Sequence, residues 1–176
     1  AAQAPDIDID TPGTATIGAM TVEVIDPVAD YAALMEDLFD FSAIRAAVAG
    51  GFTMAFDAMS AVTGPYAVEI LENRLGFRKG TVHNATPLED FGGHHPDPNL
   101  VHAKVLHDLM MSADAPAIGA ASDGDGDRNL IIGKGRFITP SDSLAMLAAN
   151  AHLAPGYAGG LKGIARSMPT SAAADR

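Results

Sequence analysis

The sequence predicts an α/β fold, a three-layer α/β/α domain with a mixed sheet and a metal loop at a strand end. Short apolar or β-branched segments alternate along the chain with segments of helical periodicity. The short apolar segment 116–122 precedes an acidic loop directly, which is typical of a buried strand that ends at a ligand site. Two apolar runs within 129–138 flank a Gly-Lys-Gly turn, which predicts a hairpin.

The first quarter of the chain predicts a connecting segment, one strand and two helices. Residues 1–20 are acidic and rich in Pro, Gly and Thr, so we expect a connection with little core of its own. The alternating segment 21–26 predicts a strand. Apolar residues at helical spacing predict a helix over 27–41 and a shorter one over 42–48, which stops at a Gly-Gly pair.

The middle of the chain continues the alternation. Segments 52–59 and 77–84 predict strands, and the segment 65–75 between them has the apolar spacing of a helix. A polar loop follows. Asn99 is a favourable N-cap, and we expect it to begin a helix over 100–111.

The last quarter predicts a domain boundary. Ser141 is expected to cap a helix that extends to about residue 152. A strand over 161–166 and the beginning of a helix follow, and the chain end interrupts that helix. We therefore expect 1–20 to be a connection from a preceding domain, 21–155 to be a metal-binding α/β domain, and 156–176 to be the truncated start of a further α/β domain.

Composition excludes several classes of function. The formal net charge is −11, which argues against nucleic-acid backbones and anionic membranes as partners but suits a divalent cation. The sequence contains no Cys, which excludes disulfides and thiolate metal sites. No signal-peptide pattern is evident, and no apolar run approaches the roughly 18 residues that a transmembrane helix needs. We therefore expect a cytoplasmic protein.

The strongest chemical signal is the acidic loop Asp123-Gly124-Asp125-Gly126-Asp127-Arg128. Three neighbouring negative charges repel one another, so a bound cation explains the pattern best. Carboxylate oxygens suit Mg²⁺ or Ca²⁺, and the glycines let the backbone curl so that the oxygens converge. Arg128 is placed to contact a phosphate near that cation.

Two alternatives compete for this loop. Asp and Gly are also common turn residues, so the loop could be a solvated acidic turn. An EF-hand calcium loop requires Gly at its sixth position and Glu at its twelfth. Those positions hold Arg128 and Lys134, and the flanking segments are predicted strands, which disfavours this alternative.

Other polar groups give weaker signals. The side chains of the adjacent residues His94 and His95 diverge, and His102 and His107 lack the i, i+4 spacing of a helical metal pair, so a zinc site is disfavoured. The segment 166–171 favours a helix cap by Thr170 or Ser171, and an anion site that includes Arg166 is the alternative.

Several segments together resemble one family. VEVIDPVADYAALM, DAMSAVTGPYAVEIL, PLEDFGGHHPDPNL, DGDGDRN, PSDSLAMLAAN and GIARSMPTSAAADR are similar to α-phosphoglucomutases of the phosphohexomutase superfamily. DGDGDR is typical of the superfamily, whereas GGHHPDPN and ARSMPTS indicate its glucose-phosphate branch. The resemblance extends from about residue 20 to the chain end, and it implies the second of four domains plus the start of the third.

The resemblance implies an enzyme that interconverts glucose 1-phosphate and glucose 6-phosphate through a phosphoserine and glucose 1,6-bisphosphate. It implies that Asp123, Asp125 and Asp127 bind Mg²⁺ and that Asp127 and Arg128 contact the phosphoserine or the bisphosphate. The family's phosphoserine loop, of the T-A-S-H-N-P-G type, is not in this sequence, so no catalytic residue is assigned here. We expect this chain alone to be inactive. The alternative is a non-catalytic module that binds a divalent cation or a phospho-ligand.

Overall fold

The computed structural model describes residues 6–175. Residues 1–5 of the predicted connection and residue 176 of the predicted further domain lie outside the described residues. The described chain begins with an antiparallel hairpin of β1 (Gly13–Ile17) and β2 (Met20–Val24). Gly18 opens the two-residue turn with a φ of 60°, which primed hairpin turns favour. The predicted strand 21–26 is confirmed. β1 was missed: its sequence GTATI is short, and only Ala15 and Ile17 are half-buried, so its apolar signal is weak.

Five further strands form one mixed sheet in the order β4-β3-β5-β6-β7. Their bounds are β3 Met54–Asp57, β4 Val82–His83, β5 Ile118–Ser122, β6 Asn129–Gly133 and β7 Arg136–Ile138. β3 is parallel to both β4 and β5, whereas β5, β6 and β7 are successively antiparallel. The predicted mixed sheet and the predicted hairpin are therefore confirmed.

The helices are α1 Pro27–Leu38, α2 Phe41–Ala49, α3 Thr63–Ala67 (continuing as a π-helix, Val68–Arg74), α4 Lys104–Met110 and α5 Pro140–Asn150. Short 3₁₀ turns occur at Phe91–Gly93, Ala151–Leu153, Pro155–Tyr157 and Ala172–Asp175. Aspartates at the N-caps begin the first two helices. The Asp26 carboxylate accepts from the N–H of Val28 at 2.9 Å, and that of Asp40 accepts from the N–H of Ala43 at 2.9 Å.

Alternate residues of β3 divide the core into two layers. Ala55 faces a cluster that α4 and β6 complete, and its fully buried members include Leu106, Met110, Leu130 and Ile132. Met54 and Phe56 face the opposite side, where α2, α3 and the π-helix pack. The sheet therefore carries helices on both faces, which confirms the three-layer α/β/α architecture.

Two predicted strands require correction. The strand predicted over 77–84 is only Val82–His83, because residues 78–81 form a turn in which Gly80 has a φ of 86°. No strand forms over 161–166, where Leu161 and Ile164 are 43% and 44% exposed. Apolar residues alone do not make a strand when the described residues offer no strand to pair with.

Three helix starts also differ from the prediction. The side-chain carbonyl of Asn99 accepts from the N–H groups of Val101 and His102. These residues form a turn that precedes the helix, and α4 begins at Lys104. α5 begins at Pro140 rather than behind a Ser141 cap, since the fixed φ of proline suits the first helical position. At the chain end, the predicted helix is a 3₁₀ turn over Ala172–Asp175.

Candidate metal centre

The acidic loop connects β5 to β6 at the end of the sheet. The last ladder pair of these strands is Ser122 with Asn129, and the N–H of Asp123 donates to the carbonyl of Arg128 at 3.3 Å. Gly126 adopts a φ of 82°, which turns the backbone back on itself. The loop is thus a closed hairpin connection, and it lies at a strand end as the sequence predicted.

The three loop carboxylates converge. Oxygen atoms of Asp123, Asp125 and Asp127 all lie within 4.8 Å of one another. Asp123 is 1% exposed, whereas Asp125 and Asp127 face solvent. The arrangement offers one fixed and two accessible oxygen ligands, the donor set that hard divalent cations prefer.

Arg128 holds the buried carboxylate from two directions. Its backbone N–H donates to Oδ1 of Asp123 at 3.0 Å, and its Nε donates to Oδ2 of the same residue at 2.7 Å. Its Nη1 donates to Oδ1 of Asp97 at 3.0 Å. The guanidinium is therefore fixed between two carboxylates, yet the Arg128 side chain remains 60% exposed.

The electrostatics of the loop are uneven. Burial tends to raise the pKa of Asp123, but the hydrogen bonds from Arg128 outweigh it, and the net pKa is lowered. The charge of Asp125, followed by the contact with Asp123, raises the pKa of Asp127. A bound cation would relieve the repulsion among the three carboxylates, so these residues fit a divalent metal.

The loop fits closely between two neighbouring segments. A Cβ at Gly126 would lie 2.8 Å from the Thr63 methyl group at the start of α3, and one at Gly124 would lie 3.3 Å from Pro96. The hydroxyl oxygens of Thr63 and Ser122 lie 2.6 Å apart. Gly126 is therefore favoured both by the close approach of Thr63 and by its positive φ, whereas at Gly124 a side chain would only be in tight contact with Pro96.

A strained turn positions Thr63. Met59 and Ser60 follow β3 with φ values of 53° each, a left-handed conformation that costs free energy for residues with a side chain. Buried Asp57 stabilises the turn, since its Oδ1 accepts from the N–H of Met59 at 2.9 Å and from Nδ2 of Asn84 at 2.8 Å. A cavity of about 490 Å³ opens beside this turn, with Tyr31, Tyr66 and Asp125 among its lining residues.

Asp97 is a site residue that the sequence analysis missed. It lies between Pro96 and Pro98, and its Oδ2 accepts from Nδ2 of Asn99 at 2.7 Å. The only sequence signal was its place in GGHHPDPN, since pattern analysis cannot pair a loop residue with Arg128.

The remaining candidates have local partners. Arg166 forms a two-point ion pair with Asp175, at 2.7 and 2.6 Å. The Ser171 hydroxyl accepts from the N–H of Ala173, so the capping interpretation of this segment describes the structure better than the anion site. Among residues 6–175, no helix has the length and apolar character that crossing a bilayer demands.

Comparison with known proteins gives one consistent result. Residues 29–135 match the family described as phosphoglucomutase/phosphomannomutase, alpha/beta/alpha domain II. A phosphoglucomutase from Rhizobium radiobacter is 72% identical over 98% of this chain, which spans 32% of that protein. A chloroplastic phosphoglucomutase from Marchantia polymorpha is 54% identical over 99% of the chain, which spans 27% of it.

A solved structure agrees. The open form of parafusin, a phosphoglucomutase from Paramecium, superimposes with a TM-score of 0.87 at 44% identity, covering 96% of this chain and 32% of the other. The chain thus spans about a third of the length of the relatives it matches. The chain belongs to the phosphoglucomutase/phosphomannomutase family of the phosphohexomutase superfamily and contains its α/β/α domain II.

Proposed function

We propose that this chain is the Mg²⁺-binding segment of a phosphoglucomutase that interconverts glucose 1-phosphate and glucose 6-phosphate. The observation that carries the proposal is the convergence of the Asp123, Asp125 and Asp127 carboxylates within 4.8 Å. The relatives named phosphoglucomutase support the substrate class. In the proposed reaction a phosphoserine phosphorylates the sugar, and glucose 1,6-bisphosphate is the intermediate and activator.

The chain's own residues divide the work in two. Asp123, Asp125 and Asp127 would hold Mg²⁺, which when bound neutralises charge on a phosphoryl group. Within the described residues, Nη2 of Arg128 makes no hydrogen bond, whereas Nε and Nη1 are occupied by Asp123 and Asp97. Arg128 therefore has a free N–H edge on an exposed side chain and would present it to the phosphate, next to Asp127.

The proposal assigns no turnover to this chain alone. No segment of the T-A-S-H-N-P-G type occurs in the 176 residues, so the phosphoryl donor must come from elsewhere in a longer protein. Residues 1–20 and 156–176 are proposed to connect to neighbouring domains. The hexose phosphate would then bind between this segment and those domains. We further propose a cytoplasmic protein, although relatives named chloroplastic and cytoplasmic both occur.

Two measurements test this proposal. Isothermal titration of the chain with Mg²⁺ should show binding that Asp125→Asn weakens at least tenfold, with Asp114→Asn as a control of equal charge in a different loop. A coupled assay should then detect glucose 6-phosphate formation by the protein from the full open reading frame and not by this chain. Mg²⁺ binding without activity in either protein would favour the non-catalytic binding module.

A further inference from the structure

The loop beside the aspartate cluster contains a second group of metal-binding side chains. Ligand atoms of His95, Asp97 and His102 lie within 4.8 Å of one another. His95 and His102 are neither adjacent in sequence nor at helical spacing, and a turn brings them together. We propose that His95, Asp97 and His102 form a transition-metal site, suited to Zn²⁺, that is distinct from the aspartate loop.

The two imidazoles already have the separation that a shared metal requires. Their ring centroids lie 4.7 Å apart with an angle of 72° between the ring planes. Two imidazole nitrogens at about 2.0–2.1 Å from one zinc ion place their ring centroids roughly 5 Å apart. Rotation of the two rings about their side-chain bonds would direct one nitrogen of each at a shared ion.

The backbone that carries these ligands is fixed by its own contacts. Pro96 and Pro98 restrict φ on both sides of Asp97. The Asn99 side chain accepts from the N–H groups of Val101 and His102 at 2.8 and 2.9 Å and donates to Asp97 at 2.7 Å. This one amide thus fixes the Asp97 carboxylate relative to the backbone of His102. The N–H of Asp97 donates to the carbonyl of His95 at 2.9 Å, and such preorganisation lowers the entropy cost of binding.

The donor chemistry separates this group from the aspartate loop. Two imidazoles with one carboxylate favour Zn²⁺ and related transition metals, whereas an all-carboxylate loop favours Mg²⁺. The hydrogen bond from Arg128 Nη1 orients Asp97 as outer-shell partners orient metal-binding carboxylates. Three protein ligands on an exposed loop leave a coordination position for water or an anion.

Co²⁺ absorption spectroscopy tests the site directly, because Co²⁺ substitutes for Zn²⁺ and reports its own coordination. The chain is titrated with Co²⁺ in saturating Mg²⁺, which fills the aspartate loop. We expect one equivalent to bind with tetrahedral d–d bands, and Zn²⁺ to displace it. His95→Gln and His102→Gln should each weaken Co²⁺ binding at least tenfold, whereas the neighbouring His94→Gln should not.

The Asp125→Asn variant separates the two sites, since the proposal expects it to lose Mg²⁺ binding and to keep Co²⁺ binding. Loss of the Co²⁺ bands in that variant would assign the ion to the aspartate loop and overturn the proposal. Equal Co²⁺ binding by the wild type and His95→Gln, with unchanged thermal unfolding, would also overturn it. The His95–His102 pair would then be only an edge-to-face contact between two rings.

Discussion

Nη1 of Arg128 donates a hydrogen bond of 3.0 Å to Oδ1 of Asp97, a residue 31 positions earlier in the chain. The same guanidinium holds the buried carboxylate of Asp123 through Nε. The acidic loop and the Pro-Asp-Pro segment are therefore joined through one side chain. A displacement of Asp97 would therefore also move the Arg128 guanidinium, which is proposed to contact phosphate.

Asp97→Asn should impair the full-length enzyme without unfolding it. The substitution removes the charge that positions Arg128, and a charge-assisted hydrogen bond of this kind accounts for about a tenfold change in kcat/KM. The assay uses Mg²⁺ in a buffer free of transition metals. Asp114→Asn, an exposed residue away from the loop, is the matched control, and equal activity of the two variants would contradict the prediction.

Gly126→Ala should destabilise the chain more than Gly135→Ala does. Both residues have a positive φ, of 82° and 64°, so both variants are expected to lose about 1 kcal/mol from backbone strain. The added methyl group at position 126 would also lie 2.8 Å from Thr63, whereas position 135 has open space. We expect at least about 1 kcal/mol of additional loss for Gly126→Ala in urea denaturation.

If Gly126→Ala weakens Mg²⁺ binding and Gly135→Ala does not, the contact with Thr63 affects the shape of the acidic loop. Equal urea midpoints for the two alanine variants would show that the loop has room for the methyl group.

Asp125→Asn should have opposite effects on stability with and without metal. The Asp125 charge is the main cause of the raised pKa of Asp127, so its removal relieves repulsion and should raise the unfolding midpoint in EDTA. The same variant should lose most of the stabilisation that Mg²⁺ gives the wild type. Differential scanning fluorimetry with and without Mg²⁺ measures both effects. A lower midpoint than wild type in EDTA would refute the interpretation.

Leu106→Ala in α4 should cost about 2–5 kcal/mol of unfolding free energy, because the side chain is fully buried and leaves a cavity. Its neighbour Val105 is 76% exposed, and Val105→Ala should change stability by less than about 0.5 kcal/mol. Urea denaturation of both variants checks the assignment of the buried face of α4. Similar losses of unfolding free energy in the two variants would show that the buried face of α4 has been assigned incorrectly.

Glu69 should contribute to the acid sensitivity of the fold. Hydrogen bonds from Asn73 and then from Arg74 lower its pKa below the ordinary value of 4.5. A lowered folded-state pKa means that this stability is present above pH 4.5 and is lost as the pH falls through the folded-state value. Glu69→Gln should therefore show a shallower loss of stability below pH 4.5, measured by urea denaturation across that range.

Glu89→Gln is the control, because the exposed Glu89 makes no side-chain hydrogen bond or ion pair within the described residues. If the wild type and Glu69→Gln lose stability in parallel on acidification, the hydrogen bonds of Glu69 do not affect folding.

The sequence predicted best what depends on local pattern. The β6–β7 hairpin followed from two apolar runs around a Gly-Lys-Gly turn, and the mixed sheet followed from the alternation of element types. The strand over 161–166 was wrong because an apolar run does not show whether a pairing partner exists. β1 escaped detection because its pairing with β2, rather than burial, defines it.

In the candidate site, too, the local features were predictable from the sequence and the tertiary contacts were not. The convergence of Asp123, Asp125 and Asp127 was predictable, since the glycines between them make it a local property of six residues. The contacts that complete the site depend on tertiary structure. Asp97 reaches Arg128 across 31 residues and Thr63 reaches Ser122 across 59, and neither separation leaves a periodic signal.

The π-helix Val68–Arg74 sets the angular phase of the helix that begins at Thr63. Each residue added to or removed from a helix rotates everything beyond it by about 100°. Deleting one residue within this segment would rotate Thr63 and Tyr66 by about 100° relative to the residues beyond Arg74. The close approach of Thr63 to Gly126 and the edge contact of the Tyr66 ring with that of Tyr31 at 5.4 Å depend on this angle. The π-helical segment therefore contributes to the position of Thr63, the residue against which Gly126 of the acidic loop packs.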